Sequence, residues 1–421
     1  MKRVFLPIFA VVALGFSVAS CSDDDPITPE QPGTEKPGPE EGEPIVKTGI
    51  LKADETWTAD NIYILDGRVV VDEGVTLTIE PGTIIKAEDG RESNASALIV
   101  DRGGKLIAEG TAEQPIIFTS VNDDINVGET KSTLKVGDFG QWGGVIMLGN
   151  APASVANADG IGYIEGIPAD LSYGEYGGTN AEDNSGSLNY VSIRFSGIAL
   201  APDAEIQGLT LGGVGSGTSI KNIEIFSNDD DGIEFFGGTV EVENVLIYGQ
   251  NDDGLDVDQA YSGTIKNALV LMTENSGSGL EIDGPEGDLE GAFTMENITI
   301  DMGNFSGKYI ADFRDGAMGT VKNIFVRNIS ADGSTVNFDG DDAIANLNND
   351  DIQLRSWELV MPEAKTFEDL VTNIAEKETT VVTLTPDAAK LADNATAVEA
   401  GTMGADESVF DWTFTKSLDV F

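Results

Sequence analysis

The chain contains no histidine among its 421 residues. That removes the Ser-His-Asp and Cys-His arrangements, histidine-ligated zinc and the imidazole general base. Asp, Glu, Lys, Arg and Tyr remain as acid–base groups. Cysteine is nearly absent too, with Cys21 the single example. No internal disulfide and no multi-thiolate metal site can form, so stability must come from buried apolar surface. Positive charge is scarce: 24 Lys and Arg stand against 73 Asp and Glu, a formal net charge of −49. Such a chain repels nucleic acid, anionic lipid and unassisted polyuronates, and it favours divalent cations.

One sustained apolar run is present, at residues 4–18 behind Lys2 and Arg3. It is too short to span a bilayer comfortably and has the form of a signal peptide. It closes on Val18-Ala19-Ser20-Cys21, which resembles the lipobox of bacterial lipoproteins. The resemblance implies a signal peptide over 1–20 and lipidation of Cys21 as the first mature residue. An acidic cluster, Asp23-Asp24-Asp25, follows at once. It resembles the export signal of surface-exposed lipoproteins in Bacteroidetes, which implies a lipid anchor in the outer membrane with the protein facing the exterior. Residues 21–48 are rich in Pro, Gly and Glu and lack apolar periodicity, the composition of a disordered tether.

From residue 49 the pattern changes. Apolar runs are short, rich in Val, Ile, Leu and Phe, and punctuated by Gly, Asn or Asp, which is a strand signal. The runs repeat. Asn222-Ile223-Glu224-Ile225 recurs from Asn244, Asn267, Asn297 and Asn323, in steps of 22, 23, 30 and 26 residues. Such steps fit one coil of a parallel β-solenoid better than a propeller blade of about 40 residues. The asparagines are expected to stack as a structural ladder, each amide bonding to the next coil's backbone. Five stretches carry a family resemblance: "GVTLTIEPGTIIKA" (74–87), "KLIAEGTAEQPIIFTS" (105–120), "GQWGGVIMLGNAP" (140–152), "AEIQGLTLGGVGSGTSIKNIEIF" (204–226) and "DDGIEFFGGTV" (230–240). They resemble the pectin-lyase-like right-handed parallel β-helix proteins, and more closely a group of bacterial surface and secreted β-helix proteins without an agreed activity. The expectation is an all-β protein, a single-stranded right-handed parallel β-helix over 49–350 with a small α/β cap over 351–421. Within that cap, 366–377 has helical spacing behind a Thr366/Asp369 capping box, and the closing "VFDWTFTKSLDVF" reads as a strand with Phe410, Trp412 and Phe414 on one face.

Aligned coils bring acids into register. Glu234, Asp256, Glu281 and Asn337 are expected in one outward column, and Phe236, Asp258, Asp283 and Asp339 in a second, with Ile233, Phe235 and their equivalents pointing inward. Asp312, in "GKYIADFRDG" (307–316), fits neither column by sequence. Carboxylates about 4.8 Å apart repel by about 1 kcal/mol in water and about 3.5 kcal/mol at an effective dielectric of 20. Lys266 is the only cation between residues 228 and 290. Relief therefore comes from solvent and salt, from protonation or from bound calcium, for which Glu234, Asp252, Asp253, Asp256, Asp258, Glu281 and Asp283 are the expected ligands. The same "NDDG" runs also suit the plain corners of coils.

Three functions fit the sequence. The leading expectation is extracellular binding or adhesion to a glycan or surface partner, helped by calcium, with Tyr163, Tyr173 and Tyr176 of the excursion "YIEGIPADLSYGEYGG" (163–178) as glycan contacts. The second is a calcium-dependent polysaccharide lyase or glycosidase, with Lys308 or Arg314 as a base. The third is a structural envelope protein. No catalytic residue is assigned.

Overall fold

The computed structural model describes residues 42–90, 95–157, 159–168, 170–201, 204–363, 365–375 and 381–421, and side chains at 199–204 are left aside. The signal run, Cys21 and most of the tether lie outside the described residues.

The chain is a right-handed parallel β-helix. Strands of successive coils pair in parallel and in register, and they form three ladders along one axis. The first ladder runs from Glu55–Trp57 through Thr76–Ile79 and Lys105–Glu109 into the first half of Gly186–Arg194. The second runs through Ile62–Val71, Ile84–Ala87 and Ile116–Ser120 into the second half of that same strand. From there each coil crosses both ladders in one bent strand, as in Ser219–Phe226, Glu241–Tyr248 and Thr264–Leu271. The third ladder stacks Val145–Leu148, Leu209–Gly212, Ile233–Phe236, Leu255–Asp258, Ser278–Ile282, Tyr309–Phe313 and Thr335–Phe338.

The bend between the first two ladders is where the asparagines sit. Asn222, Asn244, Asn267, Asn297 and Asn323 all have positive φ, between 52° and 60°. Asn tolerates this left-handed conformation better than other L-residues with a full side chain, because its short amide bonds locally. The amides form a ladder, but side chain to side chain rather than to backbone. Asn222 donates to Asn189 at 2.8 Å, Asn244 to Asn222 at 2.9 Å, Asn267 to Asn244 at 2.7 Å and Asn323 to Asn297 at 3.2 Å.

The core lies inside the coils. Ile233, Leu255, Leu280 and Val336 stack along one inward line, and Phe235, Val257, Ile282, Phe313 and Phe338 along the next. All are at most 1% exposed, which fits the alternation read from sequence. The coil at 307–316 joins this register after all: Tyr309–Phe313 pairs with both neighbours and puts Asp312 between Glu281 and Asn337.

The C-terminal region differs from expectation. Coiling continues past residue 350, through Ile352–Leu359 and up to Ala395–Ala397. The capping box forms, with Asp369 accepting from the Thr366 amide at 2.8 Å and Thr366 Oγ1 accepting from the Asp369 amide at 3.3 Å. Yet it starts only the 3-10 turn Glu368–Leu370, followed by Val371–Thr372 pairing on the third ladder. The helix expected over 366–377 gives way across the described residues 366–375, because ladder pairing at Val371 and Thr372 extends the backbone; 376–377 lie outside the described residues. The α-helices described are Asp341–Asn348 and Ala389–Ala392.

The closing stretch is not a strand either. It is a strap of 3-10 turns, Glu407–Phe410 and Lys416–Leu418, that runs back along the outside of the second ladder. Its path follows one outward column: Glu358, Phe325, Thr299, Leu269, Leu246, Glu224. Glu358 accepts from Thr402, Thr299 Oγ1 from the Ala405 amide at 2.9 Å, and Asn267 Oδ1 from the Asp406 amide at 2.6 Å. Phe410 fills a patch made by Leu246, Leu269 and Leu271, and Phe414 packs on Phe226 and Phe195. Gly404 allows the close approach: at φ 91°, a Cβ there would meet Thr299 Oγ1 at 2.5 Å.

Candidate functional site

The third ladder carries the site on its outward face. One column runs unbroken through Ile50, Val70, Ile99, Ile146, Thr210, Glu234, Asp256, Glu281, Asp312, Asn337 and Thr372. Its chemistry changes along the axis from apolar to acidic to amide. The apolar part is covered by the excursion, whose Ile164, Ile167 and Tyr176 complete a satellite core with Val70, Ile99, Ile146 and Phe236.

The acids of this column face outward from the coil, but they are buried. Glu234 is 7% exposed, Asp256 8%, Glu281 8% and Asp312 1%. Only the far end of the acidic stretch meets a cation among the described residues. At the near end Thr210 donates to Gln207 at 2.6 Å, and Gln207 donates to Glu165 at 2.6 Å. At the far end Arg314 bonds Glu281 and, at 3.1 Å, Asp312, which also accepts from Asn337 at 2.9 Å. The middle has no such relief. One carboxylate oxygen from each of Asp231, Glu234 and Asp256 lies within 4.8 Å of the other two, all three residues are buried, and Asp256 Oδ1 has no hydrogen-bond partner among the described residues.

Three buried carboxylates this close cannot all carry charge without help. Burial, followed by the charges of neighbouring acids, pushes the carboxyls of Asp231, Glu234 and Asp256 well above the usual carboxylate range. The same causes raise half-buried Asp230 to about 8, with Asp252 its main charged neighbour. Asp258 and Glu281 are raised as well, burial again first. Asp230, Asp231 and Asp252 form a second oxygen group within the same span, nearer the surface, and Asp231 belongs to both groups.

The donor set fits calcium. Oxygen ligands at about 2.4 Å from one ion can be up to about 4.8 Å apart, and calcium takes carboxylate oxygens in flexible geometry. Of the expected ligands, Glu234 and Asp256 fall in the buried group and Asp252 in the outer one. Asp253, Asp258, Glu281 and Asp283 lie outside both groups. Asp253 is instead a corner residue whose Oδ1 accepts from the Ser278 amide, and its own amide donates to Asp231 at 2.8 Å. Asp230 and Asp231 were not expected as ligands. They stand in the acidic run just before the strand, where the turn folds them back over the column.

The three tyrosines separate. Tyr176 is buried, its ring over Gly212, where a Cβ would meet Tyr176 Cγ at 2.9 Å, and its hydroxyl donates to Gln259 at 2.8 Å. Tyr163 is 49% exposed and donates to Glu175 at 3.0 Å, and Glu175 also accepts from Arg102 at 2.6 Å. Both line a cleft of about 490 Å³ beside the acidic column, together with Glu165, Phe236, Gln259 and Glu286. Tyr173 packs against the satellite core and takes no part in the cleft.

The model of the pectate-lyase-like β-helix domain matches residues 49–415. The chain belongs to that family. The match takes in all three ladders, the acidic column and most of the strap, so the coiled body and its C-terminal latch are one family domain. No curated protein and no solved structure matches the chain.

Proposed function

We propose that this β-helix is an extracellular binding protein whose acidic column holds calcium and whose neighbouring cleft contacts a glycan. The observation that carries the reading is the buried triad of Asp231, Glu234 and Asp256, with one Asp256 oxygen lacking a hydrogen-bond partner among the described residues. A purely structural coil has no need for three close carboxylates that must be protonated or neutralised. A cation shared by them replaces repulsion with coordination and fixes the coils against which Tyr176 and Gln259 form the cleft. Cys21, with the apolar run before it and the acids after it, supports attachment to the outer membrane through a lipid, facing the medium.

The enzymatic alternative has one observation in its favour, Arg314 beside the column. Its guanidinium is bound to Glu281 and Asp312, as a counter-ion would be, and the column acids are too buried to meet a polymer. Calorimetric titration of the metal-free protein with calcium tests the cation reading, and heat absent at millimolar calcium sinks it. A polysaccharide panel with and without EDTA, followed by retention, ultraviolet absorbance and reducing ends, separates the two functions: retention without turnover is expected. Replacing Cys21 by Ser is expected to abolish fatty-acid labelling and membrane recovery.

A further inference from the structure

The cleft has a charge and a shape that narrow its ligand. Tyr163 presents an exposed ring over a base where Tyr176 and Phe236 pack on each other, and two carboxylates, Glu165 and Glu286, stand among the lining residues, which include no Lys or Arg. Arg102, bonded to Glu175 behind Tyr163, is not among the lining residues and donates its second bond to the Gly177 carbonyl at 3.2 Å. The exposed Glu286 also bears on the Tyr176 ring. An anionic sugar would meet these carboxylates with nothing to pair it, whereas a protonated amine would be drawn in.

The floor is strained. Gln259 and Ala260 are consecutive residues with φ of 53° and 60°. Two successive non-glycine residues in this region persist only where surroundings hold them. Here the Tyr176 hydroxyl grips the Gln259 side chain and Asp258 Oδ1 accepts the Gln259 amide at 2.5 Å. The result is an amide side chain fixed at the bottom of an aromatic cleft, of a size suited to a small ligand.

We infer that this cleft takes a cationic amino sugar, a glucosamine-type unit of a de-N-acetylated glycan, with the pyranose face against Tyr163 and the ammonium toward Glu286 and Glu165. The inference rests on the glycan-binding reading and names its ligand class. A pyranose ring is favoured over a basic peptide because an exposed tyrosine ring stands beside a fixed amide, a complement of stacking and hydrogen bonding.

The test is binding of the full-length mature chain to a glucosamine oligosaccharide in mildly acidic buffer, where its amines are protonated, beside the matched N-acetylglucosamine oligomer, a galacturonate oligomer and polylysine. The amino sugar is expected to bind, more weakly as salt rises, and the other three to bind at least tenfold less well. Glu286→Gln and Tyr163→Ala, both at exposed positions, are each expected to weaken it about fivefold with an unchanged melting temperature. Equal binding of the acetylated oligomer or of polylysine overturns the inference while leaving a binding function in place, as does a preference for galacturonate. Retention of no glycan at all overturns both the inference and the reading beneath it.

Discussion

Asn244 shows how much one residue can fix. It turns the chain at φ 60° while its amide bonds Asn222 below and Asn267 above. Asn244→Ala loses both hydrogen bonds and forces Ala into the left-handed region, an expected loss of about 2–3 kcal/mol in urea unfolding. Asn244→Gly keeps the turn and loses only the ladder, so about half of that loss is expected, and equal losses would show that the turn conformation is irrelevant. Asp256 is the opposite case, a residue at odds with its surroundings until a cation arrives. Asp256→Asn is expected to stabilise the metal-free protein at neutral pH by about 1–3 kcal/mol and to remove the calcium-induced rise in melting temperature. Calcium protection retained at full size in that variant would place the ion elsewhere.

At the scale of the element, register was legible in the sequence and cover was not. The alternation in Ile233–Phe236 and its successors assigns inward and outward sides correctly, because side-chain direction depends on local backbone alone. Nothing local says that Glu234 and Asp256 are shielded, since that depends on the turn at Asp230–Asp231 and on loops distant in the chain. Asp312 was lost for a related reason: pairing slips between Tyr309 and Ala311, a one-residue irregularity that hides the register in the sequence. The strap has the sequence pattern of a strand because Phe410, Trp412 and Phe414 do alternate. Their partners, Leu246, Tyr190 and Phe226, lie far back in the chain. At its tip Glu224, buried with Arg194, accepts from the Phe414 and Thr415 amides. Phe410→Ala is expected to cost about 3–5 kcal/mol locally. Hydrogen exchange should then quicken across residues 405–418 while solenoid amides stay protected, and uniform quickening would show instead that strap and coils open together.

For the whole molecule, charge sets the pH response. In the metal-free protein the column acids hold protons that the unfolded chain releases near pH 4. The native state therefore binds more protons than the unfolded one between that pH and the raised values, about 8 for Asp230. Stability should fall as pH rises through this window, the reverse of the usual carboxylate effect, and saturating calcium should flatten the decline. Melting temperatures in EDTA and in calcium across the window check it, and a metal-free protein that grows more stable with pH would show that the column is ionised and solvated. A stack of coils otherwise behaves as a one-dimensional array, in which each unit senses only its neighbours and the ends fray first. The strap changes that connectivity. Its contact between Thr415 and Glu224 spans 191 residues of sequence, so it joins the last segment of the chain to a coil near the middle. The array between them becomes a ring in energetic terms: no coil from Glu224 to Glu358 can be shed from the C-terminal side until the latch lifts. Docking of residues 402–415 is then a folding event in its own right, because it turns a ladder that frays rung by rung into one whose rungs are released only after the latch.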